Sequence, residues 1–169
     1  MTTPPRLRLR PRHWKPVAVA ALAAMAVAAL GASATDIGPW YQVLRKPAWQ
    51  PPDWLFGPVW TLIYGLMALA GVRAWNGASD RRQRLRIVGL FALNALLNVT
   101  WSELFFALHR PDWALMEVVP FWLSIVALIV AVSPANRSAG WLLGPYLAWV
   151  AFAGVLNLVV VRLNAPFGV

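Results

Sequence analysis

The sequence contains no cysteine. Without thiols, the chain cannot form a disulfide, a thiolate metal site or a cysteine nucleophile. It has two histidines, His13 and His109, which are too few to build a metal centre by themselves. We therefore expect no metal site and no required cofactor.

Charged residues are also scarce, at 12% of the chain, whereas a soluble domain carries about a quarter. Hydrophobic residues make up 60%, so too few charges remain to cover a surface that faces water. The net charge of +9 would suit a nucleic acid, but the charges cluster between apolar runs, as in membrane proteins. The composition argues against a nucleic-acid partner and predicts a lipid bilayer around the chain.

Five apolar runs predict an all-α membrane protein, a five-transmembrane-helix bundle. Each run must be helical, because an open strand edge in lipid would leave backbone groups unpaired. A basic, proline-rich stretch over 1–16 is predicted to be a disordered tail, and 165–169 a short C-terminal tail. The predicted transmembrane domain, 17–164, has spans at about 17–34, 55–75, 85–108, 113–132 and 140–163.

The first apolar run, 17–34, has two interpretations. The basic residues before it, its short length and the end Ala32-Ser33-Ala34 are typical of a cleavable signal peptide. Alternatively, it forms a first transmembrane helix near the lower length limit. The run by itself does not decide between them.

The segment 36–53 is predicted to be a long, ordered loop. Its four prolines stiffen the backbone, and the aromatic residues between them suit the boundary between lipid and water. Long loops that stay ordered are often functional. We therefore expect this loop to lie across one end of the bundle.

The distribution of Lys and Arg predicts the orientation. With five spans, the N-terminal tail and the second and fourth loops share one side, which holds eleven of the fifteen basic residues. The positive-inside rule then places the N-terminus in the cytoplasm. We expect a multi-pass protein of a bacterial cell membrane.

No Ser-His-Asp set, phosphate-binding glycine loop or metal motif is present, which favours a binding protein over an enzyme. Two of the six carboxylates, Glu103 and Glu117, lie inside predicted spans. An intramembrane carboxylate suggests a function, here proton-coupled transport. The ordinary alternative is that each reaches the interface or hydrogen-bonds to Arg110 or His109.

Tryptophan is abundant, with eleven residues. Those near span ends are interfacial anchors. Trp60, Trp101, Trp122 and Trp149 lie deeper, where their rings either pack helices together or line a site for a planar aromatic ligand. Three polar side chains inside the spans also have two interpretations, since they either join helices by hydrogen bonds or line a ligand cavity. They are Asn94, Asn98 and Asn157.

Four short motifs follow one another along the chain. Residues 40–52 read WYQVLRKPAWQPP and residues 57–64 read GPVWTLIY. Residues 97–106 contain LN, WS and FF, and residues 145–157 contain PYLAW, FA and LN. In content and order, these motifs resemble the TspO/translocator protein family, also called tryptophan-rich sensory proteins or peripheral-type benzodiazepine receptors.

The resemblance implies a five-helix bundle, commonly a homodimer, in which the first apolar run is retained as helix one. It also implies a cavity near the first loop that binds a tetrapyrrole, such as protoporphyrin IX or haem, or another planar apolar molecule. The matching positions suggest as its lining Trp40, Tyr41, Trp60, Asn98, Tyr146 and Trp149.

The function implied is that of a tetrapyrrole-binding sensory or translocator protein. Some members promote light-dependent porphyrin breakdown with two cavity tryptophans, which would be Trp60 and Trp149 here. An enzyme that degrades porphyrin is therefore one alternative. A proton-coupled transporter is another.

Three departures from the family pattern limit what can be transferred to this chain. Asn94 replaces a frequent Gln, Glu103 has no family counterpart, and 155–162 lacks the Tyr of the animal sterol motif.

Overall fold

The computed structural model describes residues 14–167. Within that range there is no β-strand, and five helical segments are long and apolar enough to cross a membrane. The predicted all-α bundle of five transmembrane helices is confirmed. Residues 1–13 and 168–169 lie outside the described residues. They include most of the predicted basic tail, 1–16, and the last two residues of the predicted C-terminal tail, 165–169.

The first apolar run forms α1, which starts at Trp14 rather than at the predicted residue 17. The helix over Arg81–Ser102 continues into a π-helical turn over Glu103–Ala107, and the helices over Arg137–Leu142 and Gly144–Asn164 together make the fifth crossing. The helices in order are α1 (Trp14–Ala34), α2 (Pro39–Val43), α3 (Asp53–Gly77), α4 (Arg81–Ser102), α5 (Pro111–Val132), α6 (Arg137–Leu142) and α7 (Gly144–Asn164).

The first loop, residues 35–52, contains the short helix α2, although the sequence predicts no helix there. The carboxylate of Asp36 accepts a hydrogen bond from the amide of Gly38 at 2.8 Å, which turns the chain. Pro39 follows at the first helical position, where its fixed φ suits a helix and its missing N–H costs nothing. The turn and the proline together start the helix.

The fifth crossing is interrupted at Leu143, between α6 and α7. Pro145 has no amide hydrogen, so the α-helical hydrogen bond to Trp141 is missing. At the break, the amide of Leu143 bonds to the carbonyl of Gly140, three residues back instead of four, and α7 then starts with Pro145 in its first turn. The sequence predicts one continuous span here, and the structure divides it.

Helix α5 is the most enclosed and packs against α4 and α7, whereas α1 packs mainly against α3. Because the crossings alternate in direction, the turns and helix ends divide between two ends of the bundle. The first-loop end holds the start of α3, the turn between α4 and α5, and the end of α7. The opposite end holds the start of α1, the turn between α3 and α4, and α6.

Candidate functional site

The first loop is fastened to the end of α7. The side-chain amide of Asn164 accepts a hydrogen bond from the backbone N–H of Arg45 at 2.8 Å and donates one to the Arg45 carbonyl at 2.8 Å. It also donates to the carbonyl of Val160, which fixes its own orientation. Trp49 adds an apolar contact, with its ring 5.8 Å from that of Phe152. The loop is therefore closed over the bundle.

Tyr41, one of the predicted lining residues, is buried beneath this loop. Its hydroxyl donates a hydrogen bond to Asp53 at 3.0 Å and accepts one from Gln50 at 3.2 Å, and the ammonium of Lys46 lies 3.5 Å from its ring centre. Burial, reinforced by the hydrogen bond to the Asp53 carboxylate, raises the pKa of Tyr41 to about 12. Tyr41 thus ties the loop to the start of α3 as a neutral phenol.

Trp40, a second predicted lining residue, packs on the turn between α4 and α5. Its indole is nearly parallel to the imidazole of His109, with ring centres 4.2 Å apart, and meets Phe105 edge-on at 6.2 Å. His109 has a φ of 55°, the left-handed conformation that closes a helix end. The π-helical turn brings Phe105 and this histidine against the loop.

Little space remains directly under the loop. A cavity of about 50 Å³ lies there, with Tyr41, Phe56 and Trp101 in its wall. Drug-sized ligands occupy pockets of roughly 300–1,000 Å³. This cavity is much smaller than a tetrapyrrole requires, so the tryptophan-lined cavity that the sequence predicts near the first loop stays a prediction.

Trp60, Tyr146 and Asn98 meet near the middle of the bundle. The ring of Trp60 lies 5.4 Å from that of Tyr64 and 6.1 Å from that of Tyr146. Tyr64 donates a hydrogen bond to the side-chain oxygen of Asn98 at 3.0 Å. Tyr64 therefore connects predicted site residues, and its place inside the motif at 57–64 was the signal that could have identified it.

Tyr146 belongs to a fully buried hydrogen-bond chain that joins α7, α4 and α5. Its hydroxyl donates to Asn94 at 3.1 Å, Asn94 donates to Ser124 at 2.8 Å, and Ser124 donates to the carbonyl of Phe121. Buried polar groups need such partners in lipid. Asn94 here joins helices, and no sequence pattern indicated Ser124 as its partner.

Trp149 lies on α7 with its ring 5.6 Å from Phe56 and 5.3 Å from Phe152. Trp149 and Trp60 pack against one apolar cluster, whose buried members include Phe121 and Tyr146. The six predicted residues thus fall into two groups. Trp40 and Tyr41 close the loop end, and the remaining four lie deeper in the bundle.

A cavity of about 640 Å³ opens between α1, α3 and α4, towards the opposite end. Two predicted residues, Asn98 and Tyr146, border it, together with Tyr64. Its other walls are almost entirely apolar and come mainly from small residues. The helices thus leave space beside α1, whereas the aromatic side chains fill most of the space beneath the loop.

The two intramembrane glutamates differ in their surroundings. Glu103 is exposed, whereas both carboxyl oxygens of Glu117 are buried and have no hydrogen-bond partner among the described residues. Neither bonds to Arg110, because that guanidinium pairs with Asp112. Within residues 14–167, no three His, Asp or Glu side chains come close enough together to hold a metal ion.

Comparison with known proteins gives a consistent result. Residues 18–163 match the model of the TspO/MBR family. The tryptophan-rich protein TspO of Chlorobaculum tepidum is 39% identical over 126 residues, which cover 74% of this chain and 79% of that protein. The tryptophan-rich sensory protein of Cereibacter sphaeroides is 36% identical, covering 82% and 88%, and the human translocator protein is 35% identical, covering 74% and 75%.

Proposed function

Because the chain belongs to the TspO/MBR family, we propose that this multi-pass membrane protein is a sensor or translocator that binds a tetrapyrrole such as protoporphyrin IX or haem. The observation that carries the proposal is the aromatic assembly below the first loop, where Trp60 and Trp149 pack against one cluster. Flat, polarisable rings stabilise a planar macrocycle by stacking and by apolar burial.

Binding at this place requires the loop to open, because the cavity beneath it measures about 50 Å³. The loop is held by few groups: the Asn164 amide, the Tyr41–Asp53 hydrogen bond and the contacts of Trp40 and Trp49. Breaking them costs a few kcal/mol, at ~1 kcal/mol per hydrogen bond. A macrocycle that replaces these contacts with its own can offset that cost.

A titration with protoporphyrin IX tests the site. Wild-type protein is expected to show saturable quenching of tryptophan fluorescence, and the Trp60→Phe and Trp149→Phe variants weaker binding. Trp141→Phe is the matched control, because Trp141 is 81% exposed on α6 at the opposite end. If the double variant at 60 and 149 binds as tightly as Trp141→Phe, the assigned site is wrong.

An enzyme that degrades porphyrin in light is the second candidate. Trp60 lies against Tyr64 and Tyr146, so an indole oxidised by an excited macrocycle would have two phenol rings nearby as further electron donors. Dissolved oxygen would be the final oxidant. Porphyrin that bleaches in light at the same rate with and without the protein would exclude this activity.

Proton-coupled transport is the third candidate. For this function, Glu117 is a better candidate for the proton carrier than Glu103. The Glu117 carboxyl is buried without a partner, whereas Glu103 is exposed. Uptake of protoporphyrin IX into proteoliposomes should then depend on a pH gradient and should fail in Glu117→Gln, with Glu103→Gln as the matched control. Full uptake in Glu117→Gln would reject this mechanism.

Orientation and membrane remain proposals: a bacterial cell membrane, with the N-terminus in the cytoplasm. The absence of cysteine gives a clean test, because one introduced thiol is the only one present. An impermeant maleimide added to intact cells should label Ala48→Cys in the first loop but not Ser79→Cys in the turn between α3 and α4. The reverse pattern would invert the topology.

The homodimer expected from the family resemblance also remains a proposal. Helix α3 turns small residues outward at a spacing of four: Gly57, Thr61 and Gly65. Such stripes let transmembrane helices approach closely. Energy transfer between labelled chains in liposomes should fall in Gly65→Leu, and unchanged transfer would exclude this face as the interface.

A further inference from the structure

The cavity between α1, α3 and α4 has the depth of one membrane leaflet. Along α4 its wall runs from Ile87 to Asn98, which is about 16 Å at 1.5 Å per residue. The hydrocarbon core of a bilayer is about 30 Å thick. The cavity therefore extends from the membrane surface at the opposite end to about the bilayer centre, as one lipid chain does.

The walls of the cavity suit an apolar chain more than a wide, flat ligand. Small residues of the three helices make the space, among them Ala24, Ala68 and Ala95. Its polar side chains are Lys15 at the surface and a group deep in the bundle: Tyr64, Asn94, Asn98 and Tyr146. A flexible hydrocarbon chain can fill such a volume without needing hydrogen bonds.

The surface end of the cavity is cationic. Lys15 and Trp75 both border it there, and the guanidinium of Arg84 lies 5.3 Å from the Trp75 ring centre. The Nε of Arg84 is buried and has no acceptor among the described residues. An anion next to Trp75 would therefore meet the ammonium of Lys15, with the positive charge of Arg84 close by on the Trp75 ring.

The charged groups around this end of the bundle also favour an anionic ligand. The one carboxylate that the described residues place there, Asp80, already caps α4 by accepting a hydrogen bond from the amide of Gln83. Basic groups attract anionic lipid headgroups at a membrane surface. Those at this end are Lys15, Arg73, Arg81, Arg82, Arg84, Arg86 and Arg137.

We propose that this cavity binds one acyl chain of an anionic phospholipid from the surrounding bilayer, with the phosphate held by Lys15 beside Trp75. The lipid would fill the space that α1, α3 and α4 leave between them. The proposed tetrapyrrole site shares Asn98 and Tyr146 with the deep end of this cavity. The variants that test the lipid, at Lys15, Gly71 and Ala95, are not among the residues predicted to line the tetrapyrrole site, so either proposal can fail without the other.

Native mass spectrometry of protein released from nanodiscs of mixed phosphatidylglycerol and phosphatidylcholine tests the proposal. We expect one phosphatidylglycerol retained per chain in preference to phosphatidylcholine. Ala95→Trp, which fills the cavity, should reduce retention about tenfold or more, whereas Leu96→Trp should not. Leu96 is the matched control, since it is the next residue and 64% exposed.

The headgroup is tested by charge. Lys15→Gln should lower the preference for phosphatidylglycerol about fivefold, the effect of roughly one basic group at an anionic surface. Arg137→Gln removes the same charge at the same end of the bundle, but Arg137 does not border the cavity. Equal retention of the two lipids by wild-type protein, or equal effects of the two variants, would overturn the proposal.

Two further arms cover the case in which Ala95→Trp does not fold. Gly71→Leu also fills the cavity, and a Cβ there meets only the ring of Phe91 at 3.7 Å, an ordinary contact. Phosphatidylglycerol with a photoreactive group in mid-chain should crosslink wild-type protein to α1, α3 and α4 at cavity positions. Crosslinks spread evenly over the lipid-facing residues of the bundle would contradict a specific site.

Discussion

Asn164 and Arg45, which are 119 residues apart in sequence, are joined by two hydrogen bonds of 2.8 Å each. The side-chain amide of Asn164 pairs with the backbone N–H and C=O of Arg45 as a neighbouring strand would. One side chain at the end of α7 thus satisfies the backbone of the first loop and holds it over the aromatic assembly.

Replacing this amide should free the loop. Asn164→Ala removes both hydrogen bonds, at ~1 kcal/mol each, so hydrogen exchange of the Arg45 amide and its neighbours should accelerate about tenfold or more. Asn76→Ala is the control, because Asn76 is exposed near the end of α3 at the opposite end. Equal exchange in the two variants would show that other contacts close the loop.

Gly77 is predicted not to tolerate even the single methyl group that alanine adds. A Cβ at this position would lie 2.2 Å from the carbonyl oxygen of Ala135, which belongs to the turn between α5 and α6. Because that atom is backbone, Gly77→Ala should force the turn away and lower the free energy of unfolding by about 1–3 kcal/mol. Thermal unfolding in detergent measures this.

The matched control is Gly89→Ala, since no atom lies within 4 Å of a Cβ at Gly89. It should unfold at the wild-type temperature or slightly above, because alanine favours a helix over glycine. A similar loss of stability in both variants would mean that close packing at Gly77 is not the cause.

The buried hydrogen bond between Asn94 and Tyr146 should appear as coupling between the two residues. Either Asn94→Ala or Tyr146→Phe removes it, and Asn94→Ala also leaves the Tyr146 hydroxyl buried without a partner, at a cost of about 1–3 kcal/mol. The double variant should lose less stability than the sum of the single variants. Additive losses would show that the hydrogen bond contributes nothing to stability.

Tyr41 should make the stability of the closed loop depend on pH in the alkaline range. Its folded pKa is raised from 10.0 to about 12, so the fold favours the protonated phenol. That contribution is fully present below pH 10.0 and is lost as the pH rises towards about 12. The difference between the tyrosinate absorbance of wild-type and Tyr41→Phe protein follows the titration of Tyr41.

Asp53→Asn is the companion variant for this titration. It removes the carboxylate that helps to raise the Tyr41 pKa but leaves burial, the larger cause, in place. The Tyr41 pKa should therefore fall yet stay above 10.0. A complete return to the ordinary value would mean that Tyr41 is not buried beneath the loop.

The sequence by itself determined four crossings from hydropathy and charge, which are local properties of each segment, and the resemblance to the family added the first apolar run as the fifth. It also located the aromatic loop between the first two crossings, and the order of four motifs was enough to indicate the family. The break at Leu143 was not predicted, although its cause, the missing amide hydrogen of Pro145, is a property of one residue. None of these features requires knowing which helices are neighbours.

Only the tertiary structure decided where the empty space lies. In the closed arrangement Trp40 packs on Phe105 and His109, and Trp149 packs on Phe56 and Phe152. The larger cavity opens beside α1. Cavity volume depends on how helices tilt and rotate against one another, and no local pattern encodes that. For the same reason, the pairing of Asn164 with Arg45 was not foreseeable, since it depends on the ends of two distant segments meeting at one side of the bundle.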